Sequence, residues 1–280
     1  MERKIAPERR EKYLRLIRDM RIIDDVFMNA VFNDSKECTE LVLRIILDRK
    51  DLTVTSVKTQ ESLKNIYGRS LALDIMAKDS EGRIYDIEIQ RDSSKASARR
   101  ARYHSSLMDS NYVLPGDDFE ELPEKYVIFV TEEDVFGEGL PLYSFSMACN
   151  ETAVKFPDGT HIIYVNGENR SDTELGILMQ DFFCTKADDI KNKVLADKVR
   201  LLKEETKEER MMCETWDEFV ANEVAEGKAE GKAEGKKEGK KEAIVEIATA
   251  MLTKGIPVET IKECTGLKQE DIDELLRAAV

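Results

Sequence analysis

The order of elements in this sequence predicts an α/β domain followed by a small helical appendage. Three observations carry that reading. Residues 71 to 90 (LALDIMAKDSEGRIYDIEIQ) form two alternating runs around a turn-forming Asp79-Ser80-Glu81-Gly82-Arg83, which is the pattern of a hairpin. Residues 126 to 131 (YVIFVT) form a short continuous apolar run, as a buried strand does. Stretches with helical spacing lie before, between and after these, so the chain reads helix, three strands, helix, strand.

Residues 7 to 23 have helical spacing through Leu14, Ile17 and Met20, with arginines elsewhere around the turn. Residues 24 to 32 and 36 to 47 extend the helical region, and the second carries Leu41 and Ile45 on an apolar face suited to the core. Residues 54 to 59 alternate and are β-branched, which predicts a strand. In the hairpin, a loop centred on Glu81 pairs Ala72 with Gln90 and Asp74 with Glu88. Ser93 and Ser94 can cap a helix over residues 95 to 108, with Lys95, Arg99 and Arg102 on one face and Tyr103 and Leu107 on another. Residues 142 to 148 and 161 to 165 read as strands, 174 to 183 as an apolar helix and 188 to 220 as a charged helical region.

From 225 to 241 the chain repeats Glu, Gly and Lys every four residues. Each glycine costs a helix about 1 kcal/mol relative to alanine, so this stretch reads as a solvated spacer. Helical periodicity returns over 243 to 280, with Gly255 and Gly266 as stops and Pro257 and Gln269 near the next starts. The expected domains are therefore 1–221, a spacer at 222–242 and a helical module at 243–280.

Composition narrows the class. No run approaches the roughly 18 apolar residues of a membrane span, and no signal-type apolar segment follows the charged start. The five cysteines are scattered without a C-x-x-C pair, and two histidines are too few for a histidine metal cluster. These features predict a soluble, cytoplasmic protein with reduced thiols and no membrane partner. The net charge of -14 argues against indiscriminate binding to nucleic acid, although residues 1–22 and 91–102 are locally basic and 117–138 are acidic.

The chemistry concentrates on the hairpin. Side-chain period two puts Asp74, Glu88 and Gln90 on one face, and Leu73, Ile75, Ile87 and Ile89 on the other. Opposed residues have Cβ atoms roughly 4.5–5.5 Å apart, so two carboxylates there repel unless a cation lies between them. A divalent metal meets that need.

Asp74 followed by Glu88-x-Gln90 resembles the active-site signature of the PD-(D/E)XK nuclease superfamily, and the element order resembles its α-β-β-β-α-β core. The closer resemblance is to the PD-(D/E)XK-family transposases, the recombination-promoting nucleases, through E-x-Q and the Arg99-Arg100-Ala101-Arg102-Tyr103 pattern. The Asp24-Asp25-Val26-Phe27 start, the HIIYVNG and LMQDFFCT stretches and the EGK-repeat tail strengthen it.

The resemblance implies a restriction-endonuclease-like core with a mixed sheet. It also implies a DNA endonuclease dependent on Mg²⁺ (or Mn²⁺), with Asp74 and Glu88 as metal ligands and Gln90 as a catalytic residue that positions water. The wider superfamily has lysine where Gln90 stands, and an amide orients water without supplying positive charge. Glu40 and Glu61 are candidate further acidic groups. Lys95, Arg99 and Arg102 are expected to hold the DNA backbone, and Tyr103 to belong to the core. Two other readings compete: a catalytically silent nuclease-like scaffold, and an acidic oligomeric adaptor. Apolar stripes on the tail, through Ile244, Ile247, Ala248, Met251 and Leu252 and through Ile272, Leu275 and Leu276, favour a homo-oligomer over a DNA-reading helix-turn-helix.

Overall fold

The structure, a computed structural model, describes residues 15–65, 68–204, 247–252, 256–267 and 272. The chain divides into two compact units, Met1–Trp216 and Asp217–Val280.

In the first unit, a helical stretch at 15–19 leads to helices α1 (Asp25–Phe32) and α2 (Lys36–Ile46). The expected helix over 7–23 stops before Met20, because the Asp24 carboxylate accepts the Arg21 backbone N–H at 2.8 Å and closes a turn. Strands β1 (Val54–Leu63), β2 (Leu71–Asp79) and β3 (Ile84–Gln90) follow, then helix α3 (Ala98–Tyr112) and strand β4 (Lys125–Thr131). Strands β5 (Leu142–Phe145) and β6 (Thr160–Asn166) and helices α4 (Glu174–Phe182) and α5 (Lys193–Glu204) complete it. The expected helix, three strands, helix, strand order is present. β1 runs four residues beyond the expected 54–59, and β5 ends at Phe145, short of 148.

The strands form one six-stranded mixed sheet in the order β1-β2-β3-β4-β6-β5. β1, β2 and β3 are antiparallel, β3–β4 and β4–β6 are parallel, and β5 pairs antiparallel with β6 at the edge. A parallel neighbour needs a long crossover, and α3 supplies it between β3 and β4. Gly82 takes φ +85° in the β2–β3 turn, a conformation that favours glycine.

Side-chain alternation then sorts the sheet into two apolar layers. Ile75, Tyr85, Ile87, Ile89, Ile128 and Val130 pack under α1, α2, α4 and α5, against Phe27, Phe32, Leu43 and Phe182. Burying each such side chain contributes roughly 1.5–3 kcal/mol. On the opposite face, Val127, Phe129 and Tyr164 pack under Ala101, Leu107 and Met108 of α3. Leu73 departs from the expected pattern: it packs in the α3 layer, while Ile75 and Ala77 lie in the other. The ribbon turns between them, where Gln60 on β1 has φ +54°.

The second unit contains helical residues 247–252 and α6 (Val258–Thr265), with Pro257 at the N-cap of α6 and Gly266, at φ +72°, closing it. Ala248, Ile261 and Ile272 are fully buried against one another, with Met251, Leu252 and Ile256 around them. Part of the stripe expected to meet another copy is thus used inside the tail. The spacer at 225–241, the helical reading of 205–220, and Ile244, Gly255, Gln269, Leu275 and Leu276 lie outside the described residues. Among the described residues, Cys38, Cys149, Cys184 and Cys264 are free thiols, and no helix is long and apolar enough to cross a membrane.

Candidate active site

The β2–β3 ladder runs from Lys78↔Ile84 to Ile75↔Ile87, and one further step in that register sets Asp74 against Glu88. At that step carboxylates replace backbone carbonyls as acceptors. The Asp74 N–H donates to Glu88 Oε1 at 3.0 Å, and the Ile89 N–H donates to Asp74 Oδ2 at 3.1 Å. β3 meanwhile stays paired with β4 as far as Gln90↔Thr131. The sheet therefore opens between β2 and β3, and the two carboxylates bridge the opening.

Helix α3 closes the site from one side. Ser97 Oγ accepts the Arg100 N–H and caps the helix, which puts Arg100 and His104 one turn apart on the sheet side. Arg100 Nη2 donates to Glu88 Oε2 and Arg100 Nε to His104 Nε2, both at 3.2 Å. Since Nε2 accepts, the neutral ring carries its proton on Nδ1, which faces Asp86 Oδ2 at 2.8 Å and Glu88 Oε1 at 3.8 Å. Asp86, Glu88 and His104 are all fully buried, and Asp86 Oδ1 has no hydrogen-bond partner.

Burial, then the charge of neighbouring carboxylates, pushes Asp86 and Glu88 up to about 8. The same causes hold Asp74 well above the usual carboxylate range, with Glu88 as its principal like-charge neighbour and Asp25 as a lesser one. His104 is lowered by burial, in keeping with a neutral ring. Two fully buried carboxyl groups and a half-buried third, this close together, cannot all ionise without added positive charge.

The residues singled out in the sequence divide into two groups. Asp74 and Glu88 meet, and Gln90 ends the same strand face, half-buried. Lys95, Arg99 and Arg102 do not share one helical face. Asp92 takes the Ser94 N–H and closes a separate 3-10 turn at Ser93–Lys95, and α3 begins afresh after Ser97. Arg99 and Arg102 are exposed on α3, whereas Lys95 lies outside the helix, also exposed.

Glu40 is occupied elsewhere, accepting the Val54 N–H at 2.8 Å and pairing with Arg44, and Glu61 pairs with Lys58. Tyr103 packs half-buried at the edge of the α3 layer, its hydroxyl donating to the Arg69 carbonyl and accepting from Asn65. The sequence reading missed Asp86, Arg100, His104 and Asp25. Asp86 was findable, because D-x-E-x-Q at period two puts three polar side chains on one face. Asp25 opens α1 with its residue exposed overall, yet desolvation of its carboxyl raises the pKa, with Lys95 and Arg91 opposing the shift.

The donor set suits a hard divalent cation. Carboxylate oxygens are the ligands Mg²⁺ and Mn²⁺ prefer, and Asp86 Oδ1, buried beside Glu88 without a hydrogen-bond partner, is an acceptor such a cation would satisfy.

A family model described as PD-(D/E)XK nuclease family transposase matches residues 27–253. A second, described as Rpn/YhgA-like nuclease family, C-terminal HTH domain, matches residues 241–276. No curated protein and no solved structure matches the chain.

Proposed function

We propose that this chain, which belongs to the PD-(D/E)XK nuclease family transposases and has their restriction-endonuclease-like core, is a metal-dependent DNA endonuclease. The observation that carries the reading is the Asp74–Glu88 pair bridging the opening between β2 and β3. Asp74 and Glu88 would hold one Mg²⁺ or Mn²⁺ ion. Bound there, the ion would acidify water and offset charge building on phosphate oxygens. The chain's own groups do the rest. Gln90, at the mouth of the strand, orients the attacking water through its amide. Arg100 fixes the Glu88 carboxylate from behind, and the neutral His104 holds both Arg100 and the neighbouring Asp86. Arg99 and Arg102, exposed on the same helix, are placed to contact the DNA backbone, with Lys95 beside them.

The tail supports contact with DNA as well. Its match to an HTH domain and its own small core favour a DNA-contacting module over the self-association expected from its apolar stripes. Oligomerisation would still serve a nuclease that cuts both strands, and light scattering on the full chain tests it. A catalytically silent scaffold gains its one supporting observation from Gln90, which brings no positive charge to the water.

The deciding experiment is a plasmid-cleavage assay with and without Mg²⁺, on the wild type beside Asp74→Ala. Cleavage only by the wild type with metal is expected. Equal cleavage by both would sink the assignment of Asp74, and metal-independent retention of function by Glu88→Ala would favour the scaffold.

A further inference from the structure

Gln60 lies on β1 across from Asp74, between the Thr59↔Ile75 and Glu61↔Leu73 pairs, and the pair it would complete is missing from the ladder. Its φ of +54° is left-handed. The strand continues regularly to Leu63, so this is no strand end. Glutamine gains nothing there that would suit it better than glycine or asparagine, because its amide sits too far out to bond its own backbone tightly. The strain is local, and it lies beside the candidate site.

What the strained backbone achieves is visible in the donors around the two carboxylates. Asp74 Oδ2 is held by the Ile89 N–H, Glu88 Oε1 by the Asp74 N–H, and Glu88 Oε2 by Arg100. The fourth oxygen, Asp74 Oδ1, faces the Gln60 carboxamide, with Nε2 at 3.5 Å. That is a long contact, suited to restraining an oxygen that must also meet a cation. Gln60 is itself exposed, so packing does not hold its side chain there.

We propose that Gln60 is a positioning residue for the metal: the left-handed turn in β1 aims its amide at Asp74 Oδ1 and, with the Ile89 N–H on Oδ2 from the β3 side, fixes the rotation of that carboxylate. This rests on the reading of Asp74 as a ligand. Gln60 touches no reacting atom, and its effect passes through the carboxylate, as partners of ligands elsewhere tune affinity by about 10- to 100-fold. Two contributions at one position then have opposite signs. The backbone strain costs stability, and the amide adds to metal binding.

The test uses the full chain without DNA, with Mn²⁺ as the probe followed by electron paramagnetic resonance, and thermal melts in chelator. Gln60→Gly should melt above the wild type, because its backbone accepts positive φ, yet bind Mn²⁺ about 10-fold more weakly or worse. Gln60→Leu, which keeps the strain and lacks the amide, should lose affinity without the gain in melting temperature. Wild-type Mn²⁺ affinity in Gln60→Gly would overturn the proposal. So would a lower melting temperature with weaker binding, which marks a structural role. Asp74→Ala, measured alongside, separates the two readings: if it binds Mn²⁺ normally the assignment of Asp74 itself fails, whereas loss there with Gln60→Gly unaffected removes only Gln60.

Discussion

At the turn end of the β2–β3 hairpin, Asp79 is 3% exposed and fully engaged. Its Oδ1 accepts the N–H groups of Glu81 and Arg83, each at 2.9 Å, and its Oδ2 accepts from Arg83 Nη1 at 3.0 Å and the Tyr85 hydroxyl at 2.8 Å. At the open end, Asp74, Asp86 and Glu88 are crowded together, share few donors and leave one oxygen without any. Burial works to raise Asp79 too, but the bonds from Tyr85, Arg83 and the two backbone N–H groups outweigh it and hold that carboxyl below its ordinary value. At the open end nothing outweighs burial, and the carboxyls are raised. The same strand pair thus shows what a structural carboxylate looks like beside carboxylates that await a cation.

The largest effect that can break this contrast is a swap of consequences between the ends. Glu88→Ala should reduce metal-dependent cleavage to background while the metal-free fold loses little stability, since it removes a buried carboxyl from a crowded site and strands only the Asp74 N–H and one partly exposed guanidinium N–H. Asp79→Ala should do the reverse. It strands Arg83, Tyr85 and two backbone donors, and should cost about 3 kcal/mol of stability with chemistry intact in whatever remains folded. Denaturant titration and a cleavage assay on both variants check it. Loss of activity from Asp79→Ala at full folding would erase the distinction.

The pH response should separate the ends next. Glu88 sits near 8 when folded and in the ordinary carboxylate range when unfolded. Between those values the folded chain holds a proton that the unfolded chain has released, so metal-free stability falls as pH rises toward 8. Asp79, shifted downward, contributes above its unfolded value, and that contribution is lost only as pH falls through its lower folded value. Chelator-treated protein should therefore lose stability from about pH 5 to pH 8, and Glu88→Gln should flatten that decline. A flat wild-type profile would mean the open-end carboxyls are not raised. Because protons compete with the ion, Mn²⁺ affinity should climb over the same window.

How much of this could be read from the chain differs by region. The hairpin register was legible as far as Ile75↔Ile87, where period two and the Gly82 turn pin the pairing; beyond it Asp74 and Glu88 meet through their carboxylates, and the expected Ala72–Gln90 pair is absent from the ladder. The roles of Asp86 and His104 were not. Both are polar residues at fully buried positions, where hydropathy patterns anticipate apolar ones. The rotation of α3 also escaped, because Ser93, Ser94 and Ser97 are all plausible caps and only packing of Ala101, His104 and Met108 decides which side meets the sheet. That rotation sends Arg100 to the carboxylates and leaves Arg99 and Arg102 outside. In the tail, an apolar stripe reads the same whether it covers its own module or another copy.

The smallest effect concerns that outer side of α3. Arg99 and Arg102 lie one turn apart and exposed, flanking an arginine that is committed to Glu88. If they contact phosphates, each should account for about 0.9 in the slope of log affinity against log salt on duplex DNA. The Arg99→Ala, Arg102→Ala protein should then show a slope shallower by about 1.8, with sequence preference unchanged, since phosphate contacts position without reading bases. Arg100→Ala should leave the slope nearly as it was and disturb metal binding instead, because its guanidinium meets a carboxylate and not solvent-side phosphate. Repeating the titration on a chain ended at Ala221 subtracts any share the tail carries, so the difference between variants reports α3 alone. An unchanged slope in the double variant would turn this face of α3 away from the substrate, and an equal loss from Arg100→Ala would merge the two sides of the helix into one surface.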